Sequence, residues 1–240
     1  MARPLIVPWR LEAPGVVRAR IAAAWLGAGA AAGRIGRIEL LPHQRAALDR
    51  LRRLLRERGG ALLADDVGLG KTYVAAALVR EHRRPLVVAP AALRAMWRDA
   101  LRDVDAAAEV TSYSALSRGR VPTGPFDLVV LDEAHHARTP STRRYAALAA
   151  LVRRARVLLL SATPVHNAAR DLAALFALFL GAAAWSMDGG ALARLIVRRV
   201  RADVPHAGIP EAAPPHWLSV GDDEALLRAI LALPPPVPPS

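Results

Sequence analysis

Lysine, threonine and two glycines fall within ALLADDVGLGKTYVAAALV, residues 61–79, where an apolar run breaks into a loop and then into a helical pattern. In a strand, loop and helix of this kind, backbone N–H groups and the helix N-terminus face a polyphosphate. Lys71 would bring a mobile charge to that polyphosphate, and the Thr72 hydroxyl would ligate Mg²⁺. Asp66, Gly68 and Gly70 complete the candidate cradle, and ATP is the expected ligand. The general pattern G-x-x-x-x-G-K-[ST] asks for glycine where this chain has Asp65, so the loop alone also admits an ordinary strand-to-helix turn with a surface lysine. Composition opposes that alternative, because Lys71 is the only lysine and every other basic side chain is arginine. A compact ammonium fits between phosphate oxygens as a guanidinium does not, whereas at a solvated surface either serves.

Further chemistry follows downstream. FDLVVLDEAHH, residues 126–136, is an apolar strand that delivers two adjacent carboxylates at its end. Asp132 can hold the Mg²⁺ on the nucleotide, and Glu133 can orient and deprotonate the attacking water. In isolation the pair would read as a solvated acidic turn. His135 and His136 invite a metal site but have no third ligand in sequence, so His135 is read as a coupling residue beside the site. RVLLLSATPVHN, residues 156–167, ends in Ser161, Thr163 and Asn167. Its short hydroxyls could hydrogen-bond neighbouring carboxylates and relay nucleotide state, or simply form a strand-to-loop turn.

The elements that must position these residues alternate. Apolar runs at 61–64, 85–89, 110–113, 126–131 and 157–160 read as strands. Helical patterns lie between them at 72–81, 92–102, 141–152 and 168–180. Alternation of this kind predicts an α/β fold, a parallel sheet sandwiched by helices, with ligands at the carboxyl ends of the strands. Ahead of it, LLPHQRAALDRLRRLLRER places Leu48, Leu51 and Leu55 at helical spacing, with Pro42 suited to the first turn. Residues 1–36 read as a lead-in, 37–204 as the nucleotide-binding lobe and 205–240, ending LPPPVPPS, as a proline-rich linker or tail.

Composition sets the bounds. A chain of 240 residues with 53% hydrophobic and 22% charged content can bury a sizeable core. The absence of cysteine excludes a disulfide framework, a zinc-thiolate site and a thiol nucleophile, and cytoplasm is the default location. A formal net charge of +12 favours a polyanionic partner, although arginine-rich GC-biased coding gives the same sign. Residues 21–32, IAAAWLGAGAAA, are Ala/Gly-rich rather than Leu-rich and make a poor signal peptide. Residues 172–185 are too short to span a bilayer comfortably, so a buried helix is expected and no membrane association.

Taken in order, LPHQ with Gln44, DDVGLGKT, DEAH and SATP resemble the motifs of superfamily-two helicases, and in detail the SWI/SNF-related branch. In that branch an acidic pair replaces the first glycine of the phosphate loop, as Asp65-Asp66 does here. LVVAPAALRAMW at 86–97, TSYSAL at 111–116 and LIVRRVRADV at 195–204 are similar to its intermediate and exit segments, and the wording is closest to bacterial RapA-like proteins. The resemblance implies a single RecA-like P-loop lobe over roughly residues 37–204. It implies that Gln44 reads the adenine, that Lys71 and Thr72 hold phosphates and Mg²⁺, and that Pro90, Ala91, Ser112 and Tyr113 face a nucleic-acid backbone.

The function so implied is a DNA-stimulated, helicase-like ATPase that translocates along double-stranded DNA and remodels what is bound there. The resemblance implies a second RecA-like lobe, on the same or another chain, to supply arginine fingers worth roughly 10³ to 10⁵ in rate. Without it, slow turnover is expected. None of Arg198, Arg199 and Arg201 stands in a finger motif. A module that binds nucleotide or DNA, or docks a partner such as RNA polymerase, without turnover is the alternative. A P-loop kinase or transport ATPase would leave DEAH followed by SATP unexplained.

Overall fold

The computed structural model describes residues 34–161, 169–200 and 204. An antiparallel hairpin, β1 (Arg34–Ile35) and β2 (Ile38–Glu39), turns at Gly36 with a φ of 60°. A side chain at Gly36 would meet the backbone of Asp103 and Val104, and Arg37 N donates to Asp103 O at 2.7 Å. The hairpin therefore docks on the lobe and straddles the boundary expected at 36/37. Helix α1 (Pro42–Arg58) opens on its proline and buries Ala47, Leu48, Leu51 and Leu55 at helical spacing. It stops at Gly59, whose φ of 76° supplies the left-handed cap that glycine adopts without strain.

From there the chain alternates β3 (Gly60–Leu63), α2 (Lys71–Val79), β4 (Pro85–Ala89), α3 (Arg94–Asp103), β5 (Glu109–Ser112), α4 (Tyr113–Ser117) and β6 (Leu128–Leu131). It continues with α5 (Arg143–Val152), β7 (Arg156–Leu160), α6 (Ala169–Leu180), α7 (Gly189–Ala193) and β8 (Ile196–Val197). Six strands form one sheet in the order β5-β4-β6-β7-β3-β8, with every described pairing parallel. The strand order brings β6, β7 and β3 side by side, so their carboxyl ends open onto a common edge.

Alternate strand residues feed two cores. Ala61, Leu63, Val87, Ala89, Val130, Leu158 and Leu160 pack under α1, α2 and α3. Leu62, Leu86, Val88, Val129, Leu131, Val157 and Leu159 pack under α4, α5, α6 and α7. Strands buried on both faces must be apolar throughout, which is why these runs show no polar alternation. Each fully buried Val or Leu contributes about 1.5–3 kcal/mol of transfer free energy, so the layers fix the edge firmly.

Differences from the expected elements have local causes. The strand expected to reach Tyr113 ends at Ser112, whose hydroxyl accepts from Ala115 N at 3.2 Å and caps α4. The helix expected from 141 starts at Arg143 because Thr142 caps it, its hydroxyl accepting from Tyr145 N at 3.2 Å. Residues 172–185 become the end of α6 and a 3₁₀ turn, with Leu175 and Phe176 buried. No helix among the described residues is long and apolar enough to cross a membrane.

Candidate nucleotide site

The carboxyl ends of the strands carry the chemistry. Asp65 follows β3, Pro90 follows β4, Ser112 ends β5, Asp132 follows β6 and Ser161 follows β7. Thr163 belongs to residues 162–168, which lie outside the described residues, as do those from 205 onward.

The phosphate loop runs from Asp65 to Gly70 between β3 and α2. Gly68 and Gly70 both have positive φ, 88° and 79°, and Gly70 caps α2 in the left-handed region. A side chain at Gly70 would run into the Gln44 amide, so this glycine also makes room for the α1 contact. Lys71 Nζ donates to Asp65 O at 2.6 Å and Asp66 O at 3.0 Å, inside its own loop. Burial lowers the Lys71 pKa, against the opposing pull of Asp65, Glu133, Asp132 and Asp66. Thr72, beside it in the first turn of α2, is half-buried.

Gln44 is buried and doubly used. Its Oε1 accepts from Leu41 N at 2.9 Å, closing the first turn of α1, and its Nε2 donates to Leu69 O at 3.1 Å. An amide offers two donors and two acceptor lone pairs, so one of each remains to meet a base. His43 lies alongside, with its pKa lowered by burial and then by the Arg199 charge.

Across the edge, Asp132 is held from several directions. Trp97, fully buried on α3, donates from Nε1 to Asp132 Oδ2 at 2.8 Å, and Glu133 N donates to Oδ1 at 2.9 Å. The Tyr113 hydroxyl donates to Asp132 O at 2.8 Å, and Asp132 N donates to Val88 O at 2.9 Å. Burial raises the Asp132 pKa and the Glu133 charge adds to the rise, while the indole and the Glu133 amide oppose it. Glu133 has φ 49° and ψ 55°. For a non-glycine residue this left-handed conformation costs of order 1–3 kcal/mol, and such strain clusters at functional sites. His135 Nδ1 lies 3.3 Å from Glu133 Oε2, at ion-pair distance but outside hydrogen-bond geometry. His136 packs against Tyr113 with ring centroids 5.2 Å apart and the planes tilted by 42°.

Tyr113, expected from the resemblance to face a nucleic-acid backbone, lies inside the fold. It is 4% exposed, its hydroxyl serves Asp132, and burial holds its pKa well above the usual tyrosine value. Ser112 is likewise buried as a helix cap, whereas Pro90 keeps part of its surface. Trp97 lay within a quoted motif without a role. The signal was a tryptophan on the apolar face of a helix, whose N–H needs an acceptor once buried. Arg199, read only as an unassigned arginine, donates to both carboxylate oxygens of Asp65.

Mg²⁺ is tested by the donor set. Among the described residues no cluster of three or more His, Cys, Asp and Glu could cage a metal. A hydroxyl and a carboxylate, Thr72 and Asp132, suit an ion that keeps waters and takes its other ligands from phosphate oxygens. The fold is a lobe of RecA-like architecture, with the candidate loop at the carboxyl end of β3.

Comparison with known proteins carries this further. Residues 102–188 match the model of the family described as the SNF2-related domain. The chain is similar to an uncharacterized ATP-dependent helicase, YqhH, of Bacillus subtilis (strain 168), at 30% identity over 157 residues, 55% of this chain and 28% of that protein. It is 34% identical over 158 residues to the SWI/SNF-related matrix-associated actin-dependent regulator of chromatin subfamily A-like protein 1 of Bos taurus, covering 55% of this chain and 16% of the relative. The fold matches a Sulfolobus solfataricus SWI2/SNF2 ATPase core, solved in complex with dsDNA, with a TM-score of 0.56 at 23% identity, over 68% of this chain and 45% of that one. Over residues 102–188 the chain is thus similar to the SNF2-related domain, and the proteins it resembles are named as helicases and SWI/SNF-related regulators. It spans about a quarter or less of the length of these curated relatives.

Proposed function

We propose that this chain supplies the ATP-binding and hydrolysing lobe of a translocase that moves along double-stranded DNA. The observation that carries this is the placement of Lys71 and Thr72 in the first turn of α2, after β3, and of Asp132 and Glu133 after β6, with the two strands separated only by β7. On binding, the Lys71 ammonium leaves the carbonyls of Asp65 and Asp66 for phosphate oxygens. This exchanges neutral acceptors for charged ones, which make roughly twice as strong a bond. Gln44, anchored to Leu41 and Leu69, meets the adenine with its remaining donor and acceptor.

Thr72 and Asp132 would hold Mg²⁺, which supplies positive charge to the phosphate oxygens when bound. Glu133, a third exposed and beside His135, takes the proton of the attacking water. Trp97 keeps Asp132 in one orientation, so the metal ligand does not reorganise. Support for duplex DNA as the partner comes from the net charge of +12 and from the solved relative bound to dsDNA.

A second reading, nucleotide binding without turnover, is favoured by one observation. Arg199 approaches the loop, but its guanidinium is committed to Asp65, so it is not placed as a finger. ATP hydrolysis by the purified chain, with and without duplex DNA, tests the two. Glu133→Gln is expected to lower hydrolysis by about 10²- to 10⁴-fold while ATP binding persists. Equal hydrolysis by wild type and Glu133→Gln would contradict the enzyme reading, and absence of ATP binding would contradict both.

A further inference from the structure

The phosphate loop is paired along its first half with the chain leaving the sheet. Leu62 N donates to Leu195 O at 3.0 Å, Ala64 N to Val197 O at 2.8 Å and Asp66 N to Arg199 O at 3.1 Å. These steps of two residues continue the parallel ladder of β3 and β8 past the ends of both strands and into the loop. Beside the last rung sits Asp65, 0% exposed, where the general loop pattern has glycine. Arg199 N donates to Asp65 Oδ1 at 2.9 Å, Arg199 Nε to the same oxygen at 3.1 Å, and Nη2 to Oδ2. The two residues are 134 positions apart.

A buried carboxylate is tolerated only when it is paired and hydrogen-bonded. The planar guanidinium fork meets both carboxylate oxygens at once, as an ammonium would not. The backbone carbonyls of Asp65 and Asp66 are the two on which Lys71 rests. Arg199 thus grips, by side chain and by backbone, the two residues that set the resting place of the lysine.

On the reading of this loop as a phosphate cradle, we infer that Arg199 is a positioning residue for it. Through Asp65 and Asp66 it couples the path of the exit segment, residues 195–199, to the placement of Lys71. Arg199 touches no nucleotide in this role. It acts as a latch: a pull on the exit segment loosens the rung at Asp66, and a rearrangement of the loop on binding phosphate is felt at Arg199. The replacement of glycine by aspartate at position 65 then has a structural purpose, since glycine offers nothing for the exit segment to hold.

The single lysine makes a direct test available. The 240-residue chain labelled with ¹³C at lysine Cε gives one resonance, that of Lys71. Arg199→Ala is expected to shift this resonance in nucleotide-free protein. It should also weaken Mg-ATP binding by about tenfold to a hundredfold, the range of one charge-assisted hydrogen bond. Arg199→Lys, keeping the charge but not the fork, should restore only part of the affinity. Leu148→Ala, in the core under α5, is the control: it lowers the melting temperature and leaves the lysine resonance in place. Should Arg199→Ala fail to fold, the pair Asp65→Asn with Arg199→Gln removes both charges together and is expected to fold with a displaced resonance. A wild-type resonance in a folded Arg199 variant overturns the latch. A wild-type resonance that ignores Mg-ATP, with Arg199→Ala still displaced, overturns the nucleotide reading and leaves the latch standing.

Discussion

At the end of β6, Asp132 is gripped by Trp97, Glu133 N–H, Tyr113 and Val88, whereas at the end of β3 Lys71 rests on carbonyls of its own loop. The carboxylate is held by Trp97 of α3 and by the Glu133 amide, and its backbone carbonyl by Tyr113 of α4, from opposite layers of the fold. The lysine has two backbone carbonyls as partners, which on the proposed function a phosphate would replace. On the proposed function, the contrast follows from the chemistry each would perform. A metal ligand gains from not reorganising, while a cation that grips an incoming polyanion must be held when the ligand is absent and released when it arrives. The loop is steadied from behind, by Gln44 at Leu69 and Arg199 at Asp65.

If this contrast is right, damage around Asp132 shows in the stability of the nucleotide-free protein, and damage at Lys71 shows in binding. The largest stability effect is expected from Trp97→Ala, about 3–5 kcal/mol in urea unfolding from the cavity alone. Trp97→Phe keeps most of the ring and removes the donor, and about 1–3 kcal/mol is expected from the unsatisfied carboxylate oxygen. Tyr113→Phe removes a hydrogen bond to a backbone carbonyl, for which about 1 kcal/mol is expected. Arg52→Ala breaks an exposed pair with Glu81, and at most about 1 kcal/mol is expected by the same assay. A Trp97→Phe protein as stable as wild type would remove the distinction between the two regions.

Lys71 sharpens the comparison through pH. Its pKa is lowered from 10.5 in the folded, nucleotide-free state, chiefly by burial. In the window between the lowered value and 10.5 the unfolded chain holds the proton and the folded one has lost it, so this residue makes stability rise with pH there. Below the window both states are protonated, and the burial penalty on the ammonium is fully present. Lys71→Met is expected to remove that slope, to leave neutral-pH stability at least equal to wild type, and to abolish ATP binding. Urea unfolding of both proteins across the alkaline range checks the first two, and calorimetric titration with Mg-ATP checks the third.

Much of the fold could be read from the sequence because strands buried on both faces leave long apolar runs, as in 85–89 and 157–160. The candidate stations for phosphate and metal stood out in the sequence because lysine, threonine and paired carboxylates at strand ends have few other uses. What escaped reading was determined by distance along the chain. Nothing local in Ile196-Val197 marks a two-residue edge strand, since its partner is β3. The match of Arg199 to Asp65 likewise becomes visible only when the ladder brings them together. Tyr113 misled because β propensity and an apolar run favoured strand, while the Ser112 cap turned the chain into a helix and pointed the ring inward. The departure at Asp65 could be seen in the sequence, but its partner could not.

The most direct test uses the one lysine again, this time chemically. An amine-selective acylating reagent has a single side-chain target in this protein, and mass spectrometry of the peptide bearing Lys71 reports its rate of modification. With Mg-ATP present, the rate is expected to fall in proportion to the fraction of protein bound, and to recover when the nucleotide is removed. A rate unchanged at saturating Mg-ATP would contradict the claim that this loop holds the triphosphate.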